Sequence, residues 1–232
     1  MTPSPQKITS PDTPGDPRSV HSAENRLRPQ IRTGPYPVDL VEKSSEHEQA
    51  QPVDCVVVVD MQVGVVTGAD AVPDAPPLIE AVDTLLGRAR AARAAVVHLR
   101  NAGPPGAIDE PGTASWQLHR PPRAGEPVID KSEDDGFLGT RLDGQLRERG
   151  VRRLAICGVM SEMCVAATAR GALARGYGVV LPHTAHATYD VPAGPGPSQA
   201  VPAALAARTA EWSLGDDVEV VADPYAVPFR PR

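Results

Sequence analysis

Apolar residues along this chain are arranged in two textures. Short unbroken runs rich in β-branched side chains occupy residues 54–59 (DCVVVV), 95–99 (AVVHL), 154–157 (LAIC) and 178–181 (GVVL), the pattern of strands buried on both faces of a parallel sheet. Shorter runs at 127–130 (PVID) and 218–221 (VEVV) read as two more strands. Between them the apolar positions take helical spacing. Leu78, Ile79, Val82, Leu85, Leu86 and Ala89 predict a helix over 76–94, and further helices are predicted over 139–149, 161–175 and 201–214. Gly150 and Gly176 stand where the second and third of these should stop.

Six strands alternating with helices predict a three-layer α/β/α domain around a six-stranded parallel sheet, each strand followed by a crossover. This texture begins at residue 53. Residues 1–52 hold nine of the 26 prolines and almost no clustered apolar residues, so too little apolar surface is available there to offset the entropy of ordering, and a disordered extension is expected. Residues 53–232 are the expected domain.

Composition narrows the function. No stretch approaches the roughly 20 apolar residues of a membrane helix, and the start of the chain has neither the apolar core of a signal peptide nor the Arg-rich pattern of a presequence; a cytoplasmic protein is expected. With 23 Lys and Arg against 29 Asp and Glu, a formal charge of −6, and 3% aromatics, a nucleic acid partner is not expected. The three cysteines, Cys55, Cys157 and Cys164, have no Cys-x-x-Cys spacing and read as free thiols.

Ligands of open parallel sheets bind beyond the carboxyl ends of the strands, and three polar features fall there: Asp60 directly after four valines, Lys131 after the 127–130 run, and the segment Ser161 to Cys164 where a strand meets a helix. Each has a plain reading: a capping or loop carboxylate, a solvated lysine, and a small hydrophobe in an Ala-rich helix. Each also has a chemical one. With Ser161 as N-cap, Cys164 lies in the first helical turn, where free amides, the macrodipole and a nearby Lys131 favour thiolate, and Asp60 within reach could exchange its proton. Cys55 and Cys157 lie inside strands and read as core.

The stretches VVVVDMQ (56–62), KSEDDGFLGT (131–140), GVMSEMCVAATARGALARGYGVVL (158–181) and AHATYD (185–190) together resemble the isochorismatase-like cysteine hydrolases, in that family's order and over roughly residues 53–222. The resemblance implies that Asp60 is the general base, Lys131 the orienting cation and Cys164 the nucleophile forming an acyl thioester. It also implies a cis peptide at Val159-Met160 and an oxyanion hole of the Met160 and Cys164 amides. No cofactor is implied.

Departures from the family pattern narrow the reaction. Val63 stands where many relatives have Asn, and no Asp-x-His occurs anywhere, so the metal element of the family's nicotinamidases is missing and no metal is expected. His183-Thr184-Ala185 replaces a common Ser-Asp-Ala; His183 and His186 could line the pocket or lie on the surface. Gln62, Trp116, Phe137, His186 and Tyr189 are the candidate pocket residues, with core packing the alternative for the aromatic ones.

Isochorismatase activity itself is a vinyl-ether hydrolysis that does not use the cysteine in the same way, so the intact Asp60, Lys131 and Cys164 set favours carbon–nitrogen hydrolysis. The stretches 158–176, 186–198 and 210–216 resemble the antibiotic-resistance subgroup that opens the streptolidine lactam of streptothricin. A small amide or lactam, cationic to suit the acidic chain, is the expected substrate, and a homo-oligomer the expected assembly. A vinyl-ether hydrolase and a catalytically silent scaffold are the alternatives.

Overall fold

The computed structural model describes residues 51–230; the expected Pro-rich extension lies outside the described residues, apart from its last two. The sheet consists of β1 (Cys55–Val59), β2 (Ala95–Asn101), β3 (Val128–Lys131), β4 (Arg153–Val159), β5 (Gly178–Pro182), β6 (His186–Ala187) and β7 (Val218–Val221). Its order is β3-β2-β1-β4-β5-β7, with β6 pairing β4 beside the main path. Every pairing is parallel. The six expected strands are therefore all present, and the two-residue β6 is an addition that no run of apolar residues announced.

Strand β1 explains why the sheet is central. All five of its residues are buried, and successive side chains point to opposite faces. Cys55, Val57 and Val59 join one apolar cluster, with Leu142 and Leu146 of helix α3 (Leu142–Glu148) and Ala166, Ala169 and Ala172 of helix α4 (Ala166–Leu173). Val56 and Val58 join the other, against Leu78, Val82, Leu85 and Leu86 of helix α2 (Ala75–Ala91). A single turn, α1 (Val63–Val66), follows β1, and α5 (Ala203–Ser213) precedes β7. Among the described residues no helix is long and apolar enough to cross a membrane.

Two boundaries moved for physical reasons. Helix α3 starts at Leu142 rather than near 139 because Gly139 has φ +67°, outside the helical region. Strand β4 runs two residues past Cys157, because Gly158, at φ +121°, still pairs with Val59. A Cβ on Gly158 would lie 1.9 Å from the Val59 carbonyl oxygen, so only glycine lets β1 and β4 stay paired at the end that carries the polar residues.

Order reverses between β1 and β4, the switch point where open α/β sheets leave a crevice. Substitution tests this dependence. Gly158→Ala is expected to cost about 4 kcal/mol or more or to prevent folding. Gly144→Ala, at a position in α3 where a Cβ meets nothing within 4 Å, should stabilise by about 0.5–1 kcal/mol. Urea unfolding of the two variants beside the parent checks both signs.

Candidate active site

Asp60 leaves β1 with φ +51°, a strained backbone for a side chain larger than glycine. Its amide donates to the Leu99 carbonyl at 3.1 Å and its own carbonyl accepts from the Gln62 amide at 2.7 Å, so the neighbouring strand and turn hold that conformation. The carboxylate is directed to Lys131 at the end of β3, whose Nζ lies 2.8 Å from Asp60 Oδ2; the two side chains are 0% and 5% exposed. Lys131 Nζ also donates to Cys164 Sγ at 3.2 Å, to the Glu133 carbonyl at 3.2 Å and to Asn101 Oδ1 at 3.3 Å. Asp60 Oδ1 is buried and has no hydrogen-bond partner.

Cys164 is carried by a π-helical turn, Ser161–Val165, rather than by the α-helix expected there. The Met160 carbonyl accepts from the amides of Met163 and Val165, both at 3.1 Å, widening the turn. The preceding Val159-Met160 peptide is cis, as the resemblance implies. Among the described residues, neither the Met160 nor the Cys164 amide donates to a carbonyl outside this turn. Ser161 does not cap the helix. Its buried hydroxyl instead meets His186 Nδ1 at 2.8 Å, and His186 Nε2 meets Glu211 Oε1 at 3.0 Å. These bonds to His186 and α5 anchor the first residue of the turn.

The electrostatics correct one expectation. Cys164 was expected to favour thiolate; its pKa is instead pushed up to about 12, by burial first and then by the Asp60 charge, which together outweigh Lys131. Burial also raises the Asp60 carboxyl above its usual range, with Lys131 opposing. Lys131 keeps its charge firmly: burial works against it, but Asp60 and Cys164 more than compensate. The trio therefore sets the Asp60–Lys131 contact beside a thiol that burial keeps protonated. The thiol also lies 3.5 Å from Asp134 Oδ1.

Of the candidate pocket residues, three are placed otherwise. Gln62 is 0% exposed and spends its amide on the backbone, accepting from the Asn101 amide at 2.9 Å and donating to the carbonyls of Asn101 and Trp116, both at 3.1 Å; it clamps a strand end. Phe137 is a core residue stacked on Tyr177 with ring centroids 5.9 Å apart. His186 is buried between Ser161 and Glu211, while His183 remains exposed. Trp116 is half-buried, its ring under the Arg100 guanidinium and its Nε1 donating to the Asn101 carbonyl at 2.9 Å. Tyr189 donates its hydroxyl to the Asp70 carbonyl at 2.6 Å. Cys55 and Cys157 are fully buried in the sheet, as expected.

Sequence reasoning missed Asn101, Asp134 and Glu211. Reading the second strand two residues further would have put Asn101 at the strand ends beside Lys131. Glu211 had a signal too, since it is a lone acid on the small, buried face of α5 with Ala203, Ala207 and Ala210. An open cleft of about 380 Å³ adjoins Lys131, lined by Ala102, Ser132, Glu133, Leu138, Gly139 and Thr140 among others.

With this fold and geometry, residues 54–210 match the isochorismatase domain family. The chain belongs to the isochorismatase family. A streptothricin hydrolase of Streptomyces noursei is 58% identical over 181 residues, 77% of this chain and 72% of that protein. An isochorismatase from Pseudomonas putida KT2440 superposes with a TM-score of 0.69 at 26% identity, over 76% of this chain and 93% of that one. A cysteine hydrolase from Pseudomonas syringae pv. phaseolicola 1448A gives 0.67 at 26% identity, over 77% and 96%. With these relatives the chain is a hydrolase, the enzyme class that the sequence motifs implied.

The charge arrangement makes a test of opposite signs. Asp60→Asn removes the negative charge that raises the thiol and leaves Lys131 beside it, so alkylation of Cys164 by iodoacetamide should set in at lower pH than in the parent. Lys131→Met should move it to higher pH. Peptide mass mapping of Cys164 over a pH series reads both; an upward shift in Asp60→Asn contradicts the arrangement.

Proposed function

We propose that this chain is a cysteine-dependent amidohydrolase that cleaves a carbon–nitrogen bond in a small amide or cyclic amide, and that the streptolidine lactam of streptothricin is the best candidate substrate. The observation that carries the reading is the buried trio, with Cys164 Sγ 3.2 Å from Lys131 Nζ, Lys131 Nζ 2.8 Å from Asp60 Oδ2, and Asp60 Oδ1 left without a partner. An unsatisfied buried carboxylate oxygen beside a neutral thiol is a ready proton acceptor.

The steps balance as follows. The Cys164 thiol gives its proton to Asp60 as sulfur bonds to the substrate carbonyl carbon, and the carbonyl electron pair moves onto oxygen, where the Met160 and Cys164 amides receive it. Collapse of that intermediate breaks the carbon–nitrogen bond, and the proton passes from Asp60 to the departing nitrogen. Water then gives a proton to Asp60 and attacks the thioester, and the thiol leaves with that proton. Lys131 remains charged throughout and holds the sulfur and the carboxylate in register. No step calls on a cofactor.

Substrate charge is supported by the surroundings. Exposed Glu133 and Asp134 follow Lys131, Glu162 is exposed in the nucleophile's turn, and these acids would attract a cationic ligand. The relative named streptothricin hydrolase, at 58% identity, supports the lactam.

Incubation of the purified protein with streptothricin and a panel of simple amides and lactams tests the proposal. Opening of a lactam adds one water to the product mass, and Cys164→Ala should reduce turnover by about 10³-fold or more while leaving the circular dichroism spectrum unchanged. Undiminished hydrolysis by Cys164→Ala removes the nucleophile assignment. Pyruvate release from a chorismate-like vinyl ether, surviving in that variant, would install the vinyl-ether reading instead. No turnover of any panel member would leave the silent scaffold.

A further inference from the structure

Behind the nucleophile's turn lies a second polar cluster that the amide-cleaving steps do not use. His183 Nδ1 and His186 Nε2 both converge on one oxygen of Glu211, at 2.5 and 3.0 Å, and the three donor atoms lie within 4.8 Å of one another. His186 and Glu211 are 1% exposed at the side chain, whereas His183 is 49% exposed. The cluster is thus built into the core on one side and open to water on the other. The other Glu211 oxygen, Oε2, is held by Arg208 Nη1 at 3.3 Å, which leaves Oε1 free to face the two rings.

We propose that His183, His186 and Glu211 form a binding site for a borderline divalent transition-metal ion, zinc foremost, with a fourth position open to solvent. Two imidazoles and a carboxylate are a donor set that such ions prefer. Tetrahedral ligands at zinc stand about 3.3 Å apart, so the two nitrogen–oxygen separations must open by less than 1 Å, the two ring nitrogens already lie within 4.8 Å of each other, and the exposed His183 ring has room to adjust. The outer shell is also present. A metal-bound histidine needs a partner for its other ring nitrogen, and His186 Nδ1 has the Ser161 hydroxyl at 2.8 Å. A hydroxyl can both donate and accept, so it can take the hydrogen bond from Nδ1–H once Nε2 carries the metal.

Ser161 lies three positions before Cys164 in the same turn, so a bound ion would brace the turn that carries the nucleophile. The site is separate from the Asp-x-His element absent from this sequence.

Zinc chloride titrated calorimetrically into the full chain, first stripped with a chelator, tests the site. Cys164→Ala serves as a second background, so that uptake by the thiol is not counted. One equivalent is expected in both proteins, with a rise in the thermal midpoint. His183→Ala, which removes an exposed ligand without opening the core, should lose at least tenfold in affinity along with the thermal shift. Cobalt substitution adds a spectrum, with visible bands of a tetrahedral ion lacking sulfur-to-metal charge transfer in the parent and absent in His183→Ala. Uptake that disappears in Cys164→Ala, uptake unchanged in His183→Ala, or no uptake at all overturns the proposal, and none of these outcomes bears on amide hydrolysis.

Discussion

The site is organised around a buried ion pair. Moving a carboxylate and an ammonium out of water costs on the order of several kcal/mol each even after relaxation, and Asp60 and Lys131 accept that cost together at 2.8 Å. Lys131 spreads its donors over a carboxylate, a thiol, an amide oxygen and a backbone carbonyl, so its side is fully satisfied. Asp60 keeps one oxygen empty. The imbalance has a chemical consequence, because the pair as a whole is short of one proton donor and the nearest acidic group is the Cys164 thiol.

This changes how the Cys164 thiol is understood. Burial and the Asp60 charge push the Cys164 thiol up to about 12, so the resting group is a thiol rather than a preformed thiolate. Proximity to a cation and the start of a helix suggested the opposite. What overrides them is burial first and then the neighbouring anion, which repels a second negative charge while offering a place for the proton. In the proposed reaction, attack and proton transfer to Asp60 are coupled, and the negative charge moves from carboxylate to sulfur to substrate oxygen without being created anew in the interior.

Most of the architecture was legible in the residues. Continuous β-branched runs cannot face water on either side, which fixed β1 as a central strand, and helical spacing of Leu78, Val82, Leu85 and Leu86 fixed its cover. Asp60 and Lys131 were legible for the same reason, since each follows a strand at its carboxyl end. The rest depends on contacts distant in sequence. Nothing local distinguishes a Ser161 that caps a helix from one that bonds to a histidine 25 residues away, and the π-helical turn follows from that anchoring rather than from any propensity of SEMCV. Gln62 likewise looks like a pocket residue until its amide is seen to imitate a strand partner for Asn101.

Backbone geometry ties these observations together. Asp60 at φ +51° and Gly158 at φ +121° sit on adjacent strands, where Val59 pairs with Gly158 and the sheet order reverses. The first carries a carboxylate in contact with Lys131; the second lets the neighbouring strand pass close enough for the Cys164 turn to begin. A side chain at Gly158 and a relaxed backbone at Asp60 would each favour a more regular sheet, and either would separate the acid from the thiol. Behind these two residues β1 is regular and buried on both faces. That division lets a stable sheet sustain a costly pair of charges at one edge.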